Sequence, residues 1–205
     1  MNNDYWLDRW KENRIGFHKP VVNPFLERYW PQVAETAGRI LAPLCGKSVD
    51  LVWLAERGHE VVGIDLSQLA ADAFASEQGR RAERVKYLVG DLFDLTAEKV
   101  GLFDFVYDRA ALIALPEGLR ARYVKHLRTL LTPRAQALLI SLEYDPAQMT
   151  GPPFSVPESE VRSLFAPAAI EKLHEHDCID EEQQFKARGL SWMKEIVWNL
   201  RFGDA

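Results

Sequence analysis

Three short apolar runs in this chain each end on residues able to bind part of a nucleoside. The first, Arg39-Ile40-Leu41-Ala42-Pro43, runs into Leu44-Cys45-Gly46-Lys47-Ser48. Gly46 lets the backbone approach a ligand closely, and the helix that should follow offers unpaired N–H groups. The second run ends Gly63-Ile64-Asp65-Leu66-Ser67, where the Asp65 carboxylate can accept hydrogen bonds from both hydroxyls of a ribose. The third leads into Gly90-Asp91-Leu92-Phe93, which offers a carboxylate and its neighbouring amide to an adenine amino group. Taken singly, Asp65 could cap a helix and Asp91 could close a turn. Together the three sites describe a cradle for adenosine.

Two common nucleotide chemistries lack their residues. A Walker A loop needs a glycine at position 41, five before Gly46, and that position is Leu41. A dinucleotide fingerprint needs three spaced glycines, and this turn has one. Neither ATP hydrolysis nor NAD chemistry is supported.

Positioning such a cradle requires strand tips at one edge of a parallel sheet. Arg39–Pro43, Glu60–Ile64, Val85–Val89 and Phe103–Tyr107 read as strands, with helices at Val49–Arg57, closed by Gly58, and at Ser67–Gln78, capped by Ser67. Leu119–Leu131 reads as a further helix and Ala135–Tyr144 as a long fifth strand. Short Val, Ile and Leu strands alternating with helices indicate βαβ units and a buried parallel sheet. The stretches 169–176 and 190–201 read as two strands with little helix between them, a terminal antiparallel hairpin. Ahead of the sheet, residues 1–36 form a helical extension with helices at about 4–12 and 24–36. The expected fold is α/β, a Rossmann-like doubly wound, mostly parallel seven-stranded sheet with a C-terminal antiparallel hairpin, in one domain spanning 1–205.

Composition narrows the partners. A net charge of −5 argues against nucleic acid or an anionic membrane, whose affinity rests on Lys and Arg. The basic cluster Arg80, Arg81, Arg84 and Lys86 reads as a solvated helix end. Two cysteines, Cys45 and Cys178, imply no disulfide framework, and no basic-then-apolar leader or membrane-length apolar run is present, so a cytoplasmic location is expected. Monomer is the default, with no evident association helix.

At these same turns the sequence resembles the thiopurine S-methyltransferase family. The matching pieces are Trp6-x-x-x-Trp10, Gly16-Phe17-His18, Pro43 to Asp50, Trp53-Leu54-Ala55-x-x-Gly58-His59 and Gly90-Asp91-x-Phe93-Asp94-Leu95. Tyr107 to Pro116 and Gly151 to Val156 continue the match over nearly the whole chain. The resemblance implies S-adenosylmethionine as cofactor, S-adenosylhomocysteine as product, and a small thiol or selenol as acceptor. It implies that Trp10, Leu44, Asp65 with Leu66, Asp91 and Leu92 contact the cofactor. Arg109 would sit at the cofactor carboxylate and the reacting end, acting electrostatically, while Phe17 and Arg188 would face the acceptor. Two departures stand out: Asp65 replaces an expected Glu, and the stretch from Phe74 to Val85 is shorter than expected.

Transfer of a methyl group from a sulfonium to sulfur needs alignment and pKa control more than a dedicated base, since a low-pKa thiol arrives partly ionised. Arg109 or Arg188 can favour that anion, although Arg109 could instead pair with Asp108. Trp10, Phe17, Pro152, Pro153 and Phe154 could wall a pocket for a flat heteroaromatic thiol. His18 could assist proton removal or simply hold a turn. Cys45 reads as a small apolar neighbour. His174, His176 and Cys178 alternate as ligands on one strand face would, but no fourth ligand is evident and no metal is expected. Alternatives are methylation of selenium or tellurium species, halide or thiocyanate, and a non-catalytic cofactor-binding protein. An amino methyltransferase of nucleic acid would carry Asn/Asp-Pro-Pro-aromatic after the fourth strand, where this chain has Asp108-Arg109-Ala110.

Overall fold

The strand-forming runs assemble as their composition demands in a computed structural model that describes residues 3–203. Strands β1 (Arg39–Pro43), β2 (Glu60–Asp65), β3 (Val85–Val89), β4 (Phe103–Asp108), β5 (Leu131–Glu143), β6 (Ala169–Asp177) and β7 (Lys194–Arg201) join one sheet in the order β3-β2-β1-β4-β5-β7-β6. β1 to β5 pair in parallel. β7 runs antiparallel to both β5 and β6 and lies between them. The sheet is therefore doubly wound with the expected antiparallel ending.

Both faces of the sheet are covered. Helices α2 (Pro24–Val33), α3 (Asp50–Glu56) and α4 (Gln68–Gln78) bury Leu26, Trp30, Leu51, Leu54 and Phe74 against Ile40, Val61, Phe105 and Ile140. On the other face lie α5 (Ala97–Val100), α6 (Ala111–Ala114), α7 (Glu117–Arg128) and α8 (Glu158–Phe165). They close over Leu41, Val62, Val106, Leu139 and Trp198. The first helix, α1 (Asn3–Lys11), and a short α9 (Gln183–Lys186) stand at the strand tips.

Several boundaries differ from expectation for local reasons. Helix α2 stops at Val33 rather than 36, with Ala34 already extended. Helix α7 spans Glu117–Arg128 rather than 119–131, and β5 starts four residues before Ala135. Pro133 lies in that early stretch, where the pairing of β4 and β5 shifts register between Phe103 and Phe105. A proline is tolerated in a strand at such an irregularity, because no ladder N–H is required of it. Ser67 caps α4 as expected, its Oγ accepting from the Ala70 N–H at 3.2 Å. Among the described residues, no helix is long and apolar enough to cross a membrane.

Candidate active site

The turn after β1 is wound tightly. Leu44 and Gly46 both take left-handed backbone angles, at φ 50° and 52°. The conformation is ordinary for glycine and costly for leucine, and such strain collects at ligand-binding turns. The Gly46 N–H donates to Asp65 Oδ2 at 2.9 Å, and its carbonyl accepts from the Tyr87 hydroxyl at 2.7 Å. The other Asp65 oxygen accepts from the Ser67 N–H at 2.9 Å. Two adjacent strand tips are thereby locked through one carboxylate, which keeps further lone pairs for ligand hydroxyls. Burial raises the Asp65 pKa, while the Ser67, Gly46 and Leu66 N–H groups oppose the rise. Burial likewise pushes the Cys45 thiol well above its ordinary range, with the Asp65 charge adding to it, so the thiol is inert packing against Gly63.

Helix α1 roofs this turn. Trp6, Arg9 and Trp10, spaced to share one helical face, line the space below. A β-carbon placed on Gly46 would stand 3.2 Å from the Trp10 ring. Phe17 meets Trp6 and Trp10 edge to face, with centroids 5.6 and 5.8 Å away. At the start of α1, the Asn3 amide donates to Asp91 at 3.2 Å.

The remaining walls come from β4, β5, β7 and the loops between them. Behind Arg109 lies the fully buried Asp50, which accepts from the Tyr107 hydroxyl at 2.8 Å and the Asn23 N–H at 2.9 Å. The Arg109 guanidinium comes within 3.8 Å of Asp50, so its acidic neighbour is Asp50 and not Asp108. Asp108 instead points into the core, accepting from Tyr123 at 2.7 Å and from the N–H groups that open α6. Glu195 of β7, Met193 just before that strand, Phe185, Arg188, Pro152 and Pro153 complete the lining. Lys19 and Glu182 pair at 2.6 Å across one side. The His18 pKa is lowered by burial first and by Lys47 next, which keeps its imidazole neutral.

These parts enclose a cavity of about 260 Å³. Trp10, Phe17, His18, Leu44, Gly46, Asp65, Leu66, Arg109, Pro152 and Arg188 all line it. Asp91 and Leu92 do not. Asp91 caps the short 3-10 turn Leu92–Asp94 by accepting from the Phe93 N–H at 2.9 Å, and the Leu92 side chain is core. Phe154 turns away to lie over Arg120. His174 lies tilted beside Phe25 and Tyr29 and stacks on His176, which also meets Glu181, whereas Cys178 falls beyond the end of β6 and its thiol donates to the Met193 carbonyl, so the thiol is separated from the imidazole pair. Arg9, Asp50, Tyr107, Phe185 and Glu195 were not anticipated. Asp50 and Tyr107 lie within family-like blocks, which was a usable signal; Glu195 offered only its alternation with Lys194.

The likeness to solved structures agrees with the sheet order. The Burkholderia thailandensis 1,6-didemethyltoxoflavin-N1-methyltransferase, solved with 1,6-didemethyltoxoflavin and S-adenosylhomocysteine, aligns with a TM-score of 0.70 at 18% identity, over 98% of this chain and 87% of its own. Sheet, turns and cavity together define a Rossmann-like, S-adenosylmethionine-dependent methyltransferase. The thiopurine S-methyltransferase family model matches residues 1–202. Thiopurine S-methyltransferase of Pseudomonas fluorescens (strain Pf0-1) is 42% identical over 216 residues, covering 98% of this chain and 99% of that relative. That of Methylococcus capsulatus (strain Bath) is 43% identical over 217 residues, covering 98% of each. The chain belongs to the thiopurine S-methyltransferase family. Its residues suit the cofactor: a buried carboxylate with open lone pairs at a strand tip, and a glycine turn under an indole, form the cradle an adenosine requires.

Proposed function

We propose that this methyltransferase acts on the sulfur of a small aromatic or heterocyclic thiol. The carrying observation is the composition of the cavity beyond the first turn. Trp6, Trp10, Phe17, Pro152 and Phe185 supply flat apolar walls, and the guanidiniums of Arg109 and Arg188 stand among them. Such walls suit a planar ring, and the cations favour a soft nucleophile in its anionic form.

In this reading Asp65 holds the ribose, while Leu44, Gly46, Leu66 and Trp10 close around the cofactor. Asp91 and Leu92 edge the adenine from outside the cavity lining, and Asn3 ties α1 to that edge. The bound sulfonium supplies an electrophilic methyl group. Arg109 has a double role, toward the cofactor carboxylate and toward the ionised acceptor. Asp50 and Tyr107 hold it from behind, so its position is set by the sheet rather than by a loop. Of the N-terminal extension, α1 and residues 16–19 cover the site, exclude water and so strengthen each charge interaction inside, while α2 packs on the sheet.

The test measures S-adenosylhomocysteine formation with 6-mercaptopurine, an aryl thiol, selenite and iodide offered separately. Turnover with the two sulfur acceptors is expected, with Asp65→Ala losing cofactor affinity on the order of 100-fold through its charge-assisted hydrogen bonds. Turnover with selenite or iodide alone would replace the sulfur reading. Cofactor binding without any turnover would end it.

A further inference from the structure

We propose that Glu195 takes the proton from the methyl acceptor, so that the site selects acceptors carrying N–H beside the reacting sulfur. The inference rests on the sulfur reading above and adds the residue that decides among sulfur acceptors.

Glu195 is held in β7 between Leu142 of β5 and His176 of β6. Lys194, one residue before, turns to the other face and pairs with Glu175 at 2.6 Å. Glu195 and Met193 line the cavity together with Arg109, whose charge acts on Glu195. The other acids lining it are engaged: Asp50 with Tyr107 and Asn23, Asp65 with two N–H groups, Glu182 with Lys19. Among the described residues, Glu195 makes no hydrogen bond or ion pair. A largely buried carboxylate with open lone pairs, aimed into a ligand cavity, is poised for a donor the ligand brings.

The surrounding charges suit a base. Burial raises the Glu195 pKa and Glu182 adds to the rise, while Arg109, Lys19 and His176 oppose it. Tyr107 and Cys178 also feel its charge, and both are pushed up chiefly by their own burial, so neither competes for the acceptor's proton. A carboxylate lifted toward neutral pH is a better proton acceptor than an ordinary one. His18, the other candidate, is weakened by burial and by Lys47 and Arg109.

A heterocyclic thione shows what this allows. Its ring N–H bond breaks and the proton passes to a Glu195 oxygen. The N–H electron pair becomes the C=N bond, and the C=S pair moves onto sulfur. Sulfur then forms its bond to the methyl group as the donor's S–CH3 bond breaks, leaving S-adenosylhomocysteine. Glu195 returns the proton to water.

Pyridine-2-thione tests the proposal, because its acidic proton is on the ring nitrogen. In turnover at a pH where the free thione is un-ionised, the kcat ratio of pyridine-2-thione to 4-nitrothiophenol, which lacks a ring N–H, should fall on the order of 100-fold in Glu195→Gln. Glu195→Asp should recover part of that ratio. A ratio that rises in Glu195→Gln would overturn the proposal, since removing a bystander negative charge eases ionisation of the thione. A wild type that methylates neither compound would end the sulfur reading and this inference with it, whereas turnover of both with an unchanged ratio would end this inference alone.

Discussion

Asp108 and Arg109 are adjacent in sequence and face opposite ways, and the difference shows in their electrostatics. Arg109 looks into the cavity, while Asp108 is buried, capping α6 and accepting from Tyr123. Burial lifts the Asp108 pKa to about 6 despite those hydrogen bonds, against an ordinary value near 4 in an unfolded chain. Between these values the native protein holds a proton that the unfolded chain releases. Stability contributed by this group therefore falls as pH rises from about 4 to about 6, by about 3 kcal/mol, and is level above. Asp108→Asn should flatten that segment of the profile. Urea midpoints at half-unit pH steps for both proteins would show it, and parallel profiles would contradict it. At this scale the turns that line the cavity were legible: Gly46 and Asp65 stand at strand tips that the apolar runs marked. Asp91 was less so, because its carboxylate turns onto the Phe93 N–H, a choice made by the backbone of one loop. Glu195 was not legible at all. Alternation in a strand says that Glu195 and Lys194 face opposite ways, but which of them meets the cavity depends on where β7 enters the sheet.

At the scale of elements, α1 and the turn after β1 act as one unit. The Gly46 backbone is left-handed and the Trp10 ring fills the place of its missing side chain. Gly46→Ala should cost about 1–2 kcal/mol from backbone geometry alone. It should also lift Trp10 and weaken S-adenosylhomocysteine binding about tenfold, a displacement of roughly 1.4 kcal/mol. Calorimetric titration beside urea unfolding separates the two effects; unchanged affinity would mean that α1 does not bear on the cofactor. Helices were readable where they are long, as in α2 and α4, the second marked also by its Ser67 cap. The four-residue helices α5, α6 and α9 fall below what periodicity can reveal. Helix α8 did carry a signal, Pro157 followed by Glu158 and Glu160 in its first turn.

Across the whole molecule, the loop before α8 and the loop between α6 and α7 are clamped by one side chain. Arg120, 3% exposed, donates to the Leu115 carbonyl at 2.9 Å, the Ser155 carbonyl at 3.1 Å and the Glu160 carboxylate at 2.6 Å. Arg120→Met keeps the apolar stem and strands three acceptors, so a loss of about 3 kcal/mol is expected by urea denaturation. A loss under about 1 kcal/mol would show that water replaces the guanidinium freely.

The placement of β7 has a consequence for how the protein is made. Strand β6 leaves the ribosome before β7, yet the two strands that must flank β7, β5 and β6, have no pairing with each other in the finished sheet. A nascent chain that has reached residue 193 already carries the turns around Gly46 and Asp65, but it lacks the strand that brings Glu195 to the cavity. The part of the cavity wall that β7 supplies is thus completed by the last of the seven strands to be made, inserted between two that precede it.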